Sequence, residues 1–470
     1  MSADDSFKEK LTGVVLAHIT DCKGLVSVDR LSGGASQETY RLVVETSVGE
    51  KRLALRRTPG GEYAEITPQH PGLDVEALLM QSALAVGVPE PEVYYVLQRE
   101  DELGDGFLME WLDGEALGAR IVRSPEFEAI RPKLAYECGK VLAQIHSIDL
   151  DATGLRSRLW EIPPAEFVEQ TWERYRLLNT PQPMIDYVAR WLMENLPKKH
   201  ETALVHNDFR NGNFMISPDG IVAVLDWEVA HVGDPMRDLG WMCTNSWRFG
   251  SSDPVGGFGK YEDLFKGYED ESGKIVDPEH VKFWEVFGSF WWSVGCLGMA
   301  EHYRSGPDKT VERPAIGRRT SECQVDCVNL LIPGPVEMVE ESLGFSSVDI
   351  PRTDELLVSV RDFLRNDVMD ETTGRANFLS RVAANSLDIV LRELSLGPMH
   401  QSLELKRLQA LFQSKEGLDA LKWQLVTQLR DKQISLDNDA LQNHLRQTVV
   451  NQVAIDQPKY SGLRNALDNG

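Results

Sequence analysis

Apolar and polar positions alternate through residues 25 to 57, in LVSVDRLSGG, ETYRLVVETS and KRLALRR, with GG and VGE as turn signals between the runs. A period of two predicts three half-buried strands. From Asp74 the period lengthens. In DVEALLMQSALAVG the residues Leu78, Leu79, Ala83 and Val86 recur at helical spacing, and Gly87 followed by Val88-Pro89 ends the helix. VYYVLQ and GFLMEWL add two more strand-like runs. Three strands, a helix and two strands within residues 1–113 form one compact lobe.

From about residue 130 the pattern is mostly helical, interrupted once by NFMIS and IVAVLDW on either side of PDG. Residues 281–303, VKFWEVFGSFWWSVGCLGMAEHY, are crowded with aromatics and read as a buried core helix or as a substrate wall. These elements make a second part, residues 114–340. A linker follows, LIPGPVEMVEESLGFSSVDIPRTDE, in which Pro, Gly and Ser cluster and the helical period lapses. Beyond it two amphipathic helices are predicted, and Leu356, Leu357, Val360 and Leu364 mark a buried face on the first. Residues 350–470 read as an appended α-helical domain.

Composition narrows the partners. A hydrophobic share of 42% is that of a globular chain, and a net charge of -24 leaves no basic stripe for nucleic acid. The acid excess serves solubility or a cationic substrate. No apolar run is long enough to span a membrane, and MSADDSFKEK lacks the order of a signal peptide, so the chain is expected in the cytoplasm. Six scattered cysteines without a CxxC pair read as reduced and structural.

The stretch LVHNDFRNGNFMIS crowds His206, Asp208, Asn211 and Asn213 against a strand. If the PDG hairpin is centred between Asp219 and Gly220, Asn213 and Asp226 lie side by side at its end. An amide oxygen beside a carboxylate suits Mg²⁺, which completes its octahedron with water and phosphate oxygens. The loop before the strand brings Asp208 to the same end, where a carboxylate can accept the proton of an attacking hydroxyl. The bland alternative is a polar turn capping a hairpin.

HNDFRNGN and LDWEVAHVGDPMRDLG, in this order and spacing, resemble the catalytic and metal loops of the aminoglycoside phosphotransferase family, over about residues 25 to 335. The resemblance implies an α+β chain with the bilobal protein-kinase-like fold, extended by the C-terminal α-helical domain, with ATP and Mg²⁺ as cofactors. It makes Asp208 the catalytic aspartate, Asn213 and Asp226 the magnesium ligands, and His206 a residue that orients the loop. Trp227-Glu228 stands where protein kinases have Phe-Gly. Asp234-Pro235 reads as a helix N-cap, and Asp238 as an anchor behind the loop. LSGGASQETYRL is similar to the family's nucleotide-covering turn, with Ser36 near the phosphates. Arg56 stands in the strand KRLALRR where most members use Lys, and Glu76 matches its acidic partner. Glu110 to Leu112 match the lobe-connecting strand whose backbone holds adenine. The chain carries no Walker loop and no GxGxxG.

LRRTPGG, HNDFR and AIGRRTSE look like the branch related to kinase domains fused to certain acyl-CoA dehydrogenases. That branch implies a small-molecule hydroxyl substrate of the hydroxyacyl-CoA thioester class. RVAANSLDIVLREL resembles a small uncharacterised helical domain found with such kinases. An amino alcohol, sugar or aminoglycoside acceptor, and an inactive nucleotide-binding regulator, stand as alternatives. Arg304, Arg313, Arg318 and Arg319 are the densest cation set in the large lobe and the candidate cradle for CoA. Oligomeric state is left open.

Overall fold

The computed structural model describes residues 3–31, 37–63, 66–67, 71–341 and 350–468. The chain forms two compact units. One comprises Met1–Pro163, Lys198–Cys243 and Trp247–Trp284, the other Pro164–Pro197, Thr244–Ser246 and Glu285–Gly470.

In the first unit, strands β1 (Cys22–Arg30), β2 (Glu38–Thr46), β3 (Gly49–Arg57), β4 (Val93–Val96) and β5 (Gly106–Glu110) form an antiparallel sheet of order β1-β2-β3-β5-β4. The strand periodicity is realised directly, with Tyr40, Leu42 and Val44 buried on one face of β2. A helix unforeseen in the sequence, Ala3–His18, covers that face with Leu11, Val14 and Val15. Those three positions carry a helical stripe, so the signal was there to be read. The opposite side of the sheet packs on helix Leu73–Ala85, which buries Leu73, Val75, Leu79 and Met80 together with Glu76.

The same unit contains the hairpin β7 (Phe214–Ser217) and β8 (Gly220–Val224) and the pair β6 (Ala203–Val205) with β9 (His231–Gly233). Here the expected hairpin register is corrected. Ser217 pairs with Gly220, so the turn is centred on Pro218-Asp219, and a bulge near Met215 and Ile216 shifts the ladder before Phe214 meets Val224. Asn213 therefore faces Leu225, whose N–H donates to the Asn213 carbonyl at 2.8 Å, and Asp226 is the next residue along. Helices Arg131–His146 and Tyr261–Ser272 support this layer. They approach so closely that a Cβ on Gly139 would lie 2.1 Å from the Leu264 carbonyl oxygen.

The second unit is helical. The long helix Gly374–Phe412 packs on Asp439–Asp456, and Leu418–Arg430 packs on Pro183–Glu194. Asp186 ties that last pair, accepting from Trp172, Tyr175 and Arg430. The aromatics of 281–303 are mainly core: Phe287 and Phe290 are buried in this unit, and Trp284 is buried in the first. The expected buried face of Thr353–Phe363 is corrected, since the helix buries none of its residues and Leu356 and Val360 are 55% and 51% exposed. Charge fixes this region instead, with Arg361 and Arg365 converging on Asp388. Among the described residues no helix is long and apolar enough to cross a membrane.

Candidate active site

β3 ends on two adjacent arginines that point to opposite faces of the sheet, as strand geometry demands. Arg57 turns toward the N-terminal helix, where its guanidinium bonds Glu38 at 3.0 Å and the Tyr40 hydroxyl at 3.1 Å and lies 4.1 Å from the Phe7 ring. Arg56 turns the other way. Its Nη2 donates to Asp226 Oδ1 at 2.8 Å, its Nε lies 3.1 Å from Glu76 Oε1, and Glu228 Oε2 stands 4.0 Å off. Three carboxylates thus share one cation. Burial opposes the Arg56 charge, but those carboxylates outweigh it and lift its pKa. Burial likewise pushes the Glu76 carboxyl up to about 7, with Asp226 and Glu228 adding to the rise and Arg56 working against it.

These groups border a cavity of about 400 Å³ whose walls include Arg56, Glu76, Glu110, Leu112 and Asp226. A backbone limit applies at Glu110: its N–H already donates to the Glu92 carbonyl at 2.8 Å.

Asp208 is held from several sides. Oδ1 accepts from Trp241 Nε1 at 2.8 Å and Arg210 Nε at 3.0 Å, and Oδ2 accepts from Asn213 Nδ2 at 2.5 Å. The Asn213 amide also reaches the Asp208 carbonyl at 3.1 Å, so this one side chain fixes both ends of the aspartate. His206, wholly buried and held neutral by that burial, accepts the Asp208 N–H on Nδ1 at 3.3 Å. Its Nε2–H then donates to the Leu225 carbonyl at 3.1 Å. One imidazole therefore links the backbone of Asp208 to the residue preceding Asp226. Both ends of the link carry a left-handed conformation, with φ of 67° at Asn207 and 69° at Asp226, residue types that tolerate it best.

Behind the loop, fully buried Asp238 accepts the N–H groups of His206 at 2.8 Å and Asn207 at 2.7 Å, and His146 Nε2 lies 3.1 Å away. Burial alone would raise its carboxyl, yet His146, His206 and the backbone donor hold it below the ordinary 3.8. Asp234 caps the next helix through the Met236 N–H at 3.0 Å and also meets Trp284 and His280. The structure thus gathers Arg56, Glu76 and Asp226 into one network and Asp208 with Asn213 into another, bridged by His206. Ser36 lies outside the described residues.

Sequence reasoning missed Trp241 and Arg210 as partners of Asp208, and Glu228 as the third carboxylate at Arg56. Trp241 follows Asp238 by one helical turn, which puts both on the face toward the loop. The donor set suits a hard divalent ion. Around Arg56 the carboxylates exceed the cation by two charges, and Asn213 and Asp226 supply oxygen at the adjoining hairpin end. In contrast, the arginines of the candidate CoA cradle each have an acid beside them: Glu301 for Arg304, Asp308 for Arg313, Glu393 and Asp456 for Arg318, Glu322 for Arg319.

The Phosphotransferase enzyme family matches residues 27–270, and a domain of unknown function matches residues 370–460. The chain belongs to that phosphotransferase family. It has the kinase-like α+β fold with a helical C-terminal region. Acyl-CoA dehydrogenase family member 10 of Mus musculus is 30% identical over 250 residues, covering 51% of this chain and 22% of that protein. Acyl-CoA dehydrogenase family member 11 of Gallus gallus is 30% identical over 226 residues, covering 46% and 28% respectively. The chain thus spans about a quarter of the length of these relatives. A solved Ralstonia eutropha structure classed with the aminoglycoside phosphotransferases shares the fold at a TM-score of 0.57 and 23% identity, over 68% of this chain and 97% of that one.

Proposed function

We propose that this chain transfers the γ-phosphoryl group of ATP to the hydroxyl of a hydroxyacyl-CoA. Asp208 accepts the hydroxyl proton while the new P–O bond forms and the bond to the β-phosphate oxygen breaks. Asn213 and Asp226 are the residues that would hold Mg²⁺, which supplies charge neutralisation at the phosphates when bound. Arg56, steadied by Glu76, serves the α- and β-phosphates as a bidentate donor in place of the more usual lysine. Glu110 and Leu112 border the adenine.

The observation that carries the reaction is the convergence of Glu76, Asp226 and Glu228 on Arg56 at one cavity, linked through His206 to a firmly oriented Asp208. The acceptor class rests on the acyl-CoA dehydrogenase relatives. A second reading, a sugar, amino alcohol or aminoglycoside as acceptor, is favoured by the paired arginines, which leave no spare cation cluster among them for the anionic handle of CoA. A cytoplasmic site is part of the proposal, since the six cysteines are free thiols and suit a reducing compartment.

The test is turnover of ATP with Mg²⁺ against a panel of hydroxyacyl-CoAs, choline, simple sugars and aminoglycosides. Phosphorylation confined to the hydroxyacyl-CoAs, and abolished by EDTA, is expected. Turnover of kanamycin-type sugars with none of any hydroxyacyl-CoA replaces the acceptor class, and undiminished turnover in excess EDTA removes the metal from the reaction.

A further inference from the structure

Within the helical unit lies a cavity of about 330 Å³, near the lower end of the ~300–1,000 Å³ typical of small-molecule sites. Thr180 and Met184, inside the phosphotransferase match, form its walls together with Leu297 and Gln324 beyond that match and with side chains of the domain of unknown function. The cavity exists only because these parts of the unit close over one another.

Either sign of charge is opposed in it. The lining carboxylates Glu301, Glu393, Glu404 and Asp456 outnumber the lining cations Arg304, Arg318 and Lys422. Each of those cations already has an acid: Glu301 for Arg304, Glu393 and Asp456 for Arg318, and buried Glu404, 3.6 Å away, for Lys422. An anion would meet a surplus of carboxylate and no spare cation. A cation is no better placed. Burial, followed by the charges of Arg407 and Lys422, pushes His400 down to about 4 and His444 to about 3, so added positive charge is disfavoured where the imidazoles stand.

What the histidine end lacks is hydrogen bonds. His400 and Glu404 are 3% exposed and His444 is 1% exposed. Yet both ring nitrogens of His444, Nδ1 of His400 and Oε1 of Glu404 have no hydrogen-bond partner within the protein. A neutral imidazole carries one N–H and one bare nitrogen, so His444 asks for an acceptor and a donor, and Glu404 Oε1 asks for a further donor. A hydroxyl group meets either need, whichever tautomer the ring adopts, because it gives one hydrogen and accepts others. The two nitrogens of one imidazole point away from each other, so a single hydroxyl cannot serve both, while several on one molecule can. Elsewhere the walls are Met184, Leu297, Leu445 and Val449, which offer water no side-chain hydrogen bonds and suit the C–H face of a carbon skeleton. Among the described residues no group of His, Cys, Asp and Glu is arranged to hold a metal ion, so the histidine pair is not read as a metal site.

We infer that this cavity binds a small neutral polyol, its hydroxyl groups against His400, His444 and Glu404 and its carbon skeleton along Leu297 and Val449. The site rests on no assignment made for the cleft around Arg56. It gives the domain of unknown function a task, that of holding or sensing an uncharged hydroxylated molecule.

Titration of the full chain, without nucleotide, with glycerol, erythritol, xylitol and myo-inositol tests this, read by calorimetry and by the NMR signals of ¹³C-labelled histidine. At least one of these polyols is expected to bind saturably and to shift two buried imidazole signals. Its permethylated ether, which keeps every oxygen and loses every O–H, is expected to do neither, and so is butyrate. His444→Leu is expected to weaken the polyol roughly tenfold and to remove one of the two shifting signals. The ether comparison on the parent chain carries the test should that variant fold poorly. Equal binding of the ether shows that donors play no part and overturns the polyol assignment. Binding of butyrate in place of the polyols overturns the choice of a neutral ligand. Silence of the imidazole signals to every polyol means that the cavity holds water alone, and overturns the site.

Discussion

In the cleft of the first unit, buried charge arrives with its counter-charge. Arg56 answers Glu76, Asp226 and Glu228, and Asp208 is gripped by Trp241, Arg210 and Asn213. In the cavity of the helical unit, His444 lies as deep as any of these and has neither nitrogen bonded within the protein. The first arrangement is oriented before any substrate arrives, which spares reorganisation when charge develops in a reaction. The second leaves its bonding to something that comes and goes. Preorganised partners belong with chemistry, and missing partners with binding.

The largest expected effect tests the cleft half of that contrast. Asp208→Asn should lower kcat by ~10²–10⁴, the range of general-base catalysis, while nucleotide affinity stays nearly unchanged because Asp208 is not assigned to the metal. Asp226→Asn should instead weaken Mg²⁺-nucleotide binding. Steady-state kinetics and nucleotide calorimetry separate the two. Equal loss of nucleotide affinity in both variants would show that Asp208 and Asp226 do not divide the work as assigned.

The contrast also explains what the sequence disclosed. Asp208, Asn213 and Asp226 lie on one loop and one hairpin, so their order along the chain nearly reproduces their order in space, and local rules reach them. Even there the register slipped by one, because the turn is centred on Pro218-Asp219, one residue earlier than expected, and the bulge near Met215 and Ile216 restores only one of the two positions lost. The fold of the small lobe was legible for the same reason, from periods of two and of 3.6. The contacts of Trp241 with Asp208 and of Glu228 with Arg56 were not foreseen, since such partners become visible only when helix and loop are docked. His400, Glu404, His444 and Lys422 come from three helices, each an ordinary polar position on its own. The exposed face of Thr353–Phe363 shows the converse: an amphipathic stripe states a capacity for burial and does not supply the surface that buries it.

A smaller effect separates the two sides of one strand. Arg57→Ala removes a buried guanidinium from Glu38, Tyr40 and Phe7 and should cost about 2 kcal/mol of stability, read by urea unfolding, since it leaves the Glu38 carboxylate only the more exposed Arg30 as a cation partner. It should leave the nucleotide KM alone. Arg56→Ala should do the reverse, raising that KM roughly tenfold as one charge-assisted contact to phosphate is lost. The opposite pairing of outcomes would place the phosphate cation on the wrong face of β3.

The smallest expected effect comes from Glu76. Its carboxyl is held at about 7 in the folded chain against an ordinary 4.5, so the group is charged above about 7 and neutral below. The sign for stability follows. A raised folded value means that its contribution is full below 4.5 and is lost as pH rises through about 7, where a buried anion must be carried. For the metal the sign is opposite. Above about 7, Glu76, Asp226 and Glu228 together exceed Arg56 by two negative charges, and below it by one, so a divalent cation is attracted more strongly at the higher pH. The apparent KM for Mg²⁺-ATP should accordingly rise several-fold as pH falls through this window, a modest change because Glu76 acts across the guanidinium rather than on the ion itself. Glu76→Gln fixes the neutral state and should flatten that dependence while removing the loss of stability at high pH. A Gln variant whose KM still follows pH as the parent does would assign the titration to another group and leave Glu76 only the task of holding Arg56.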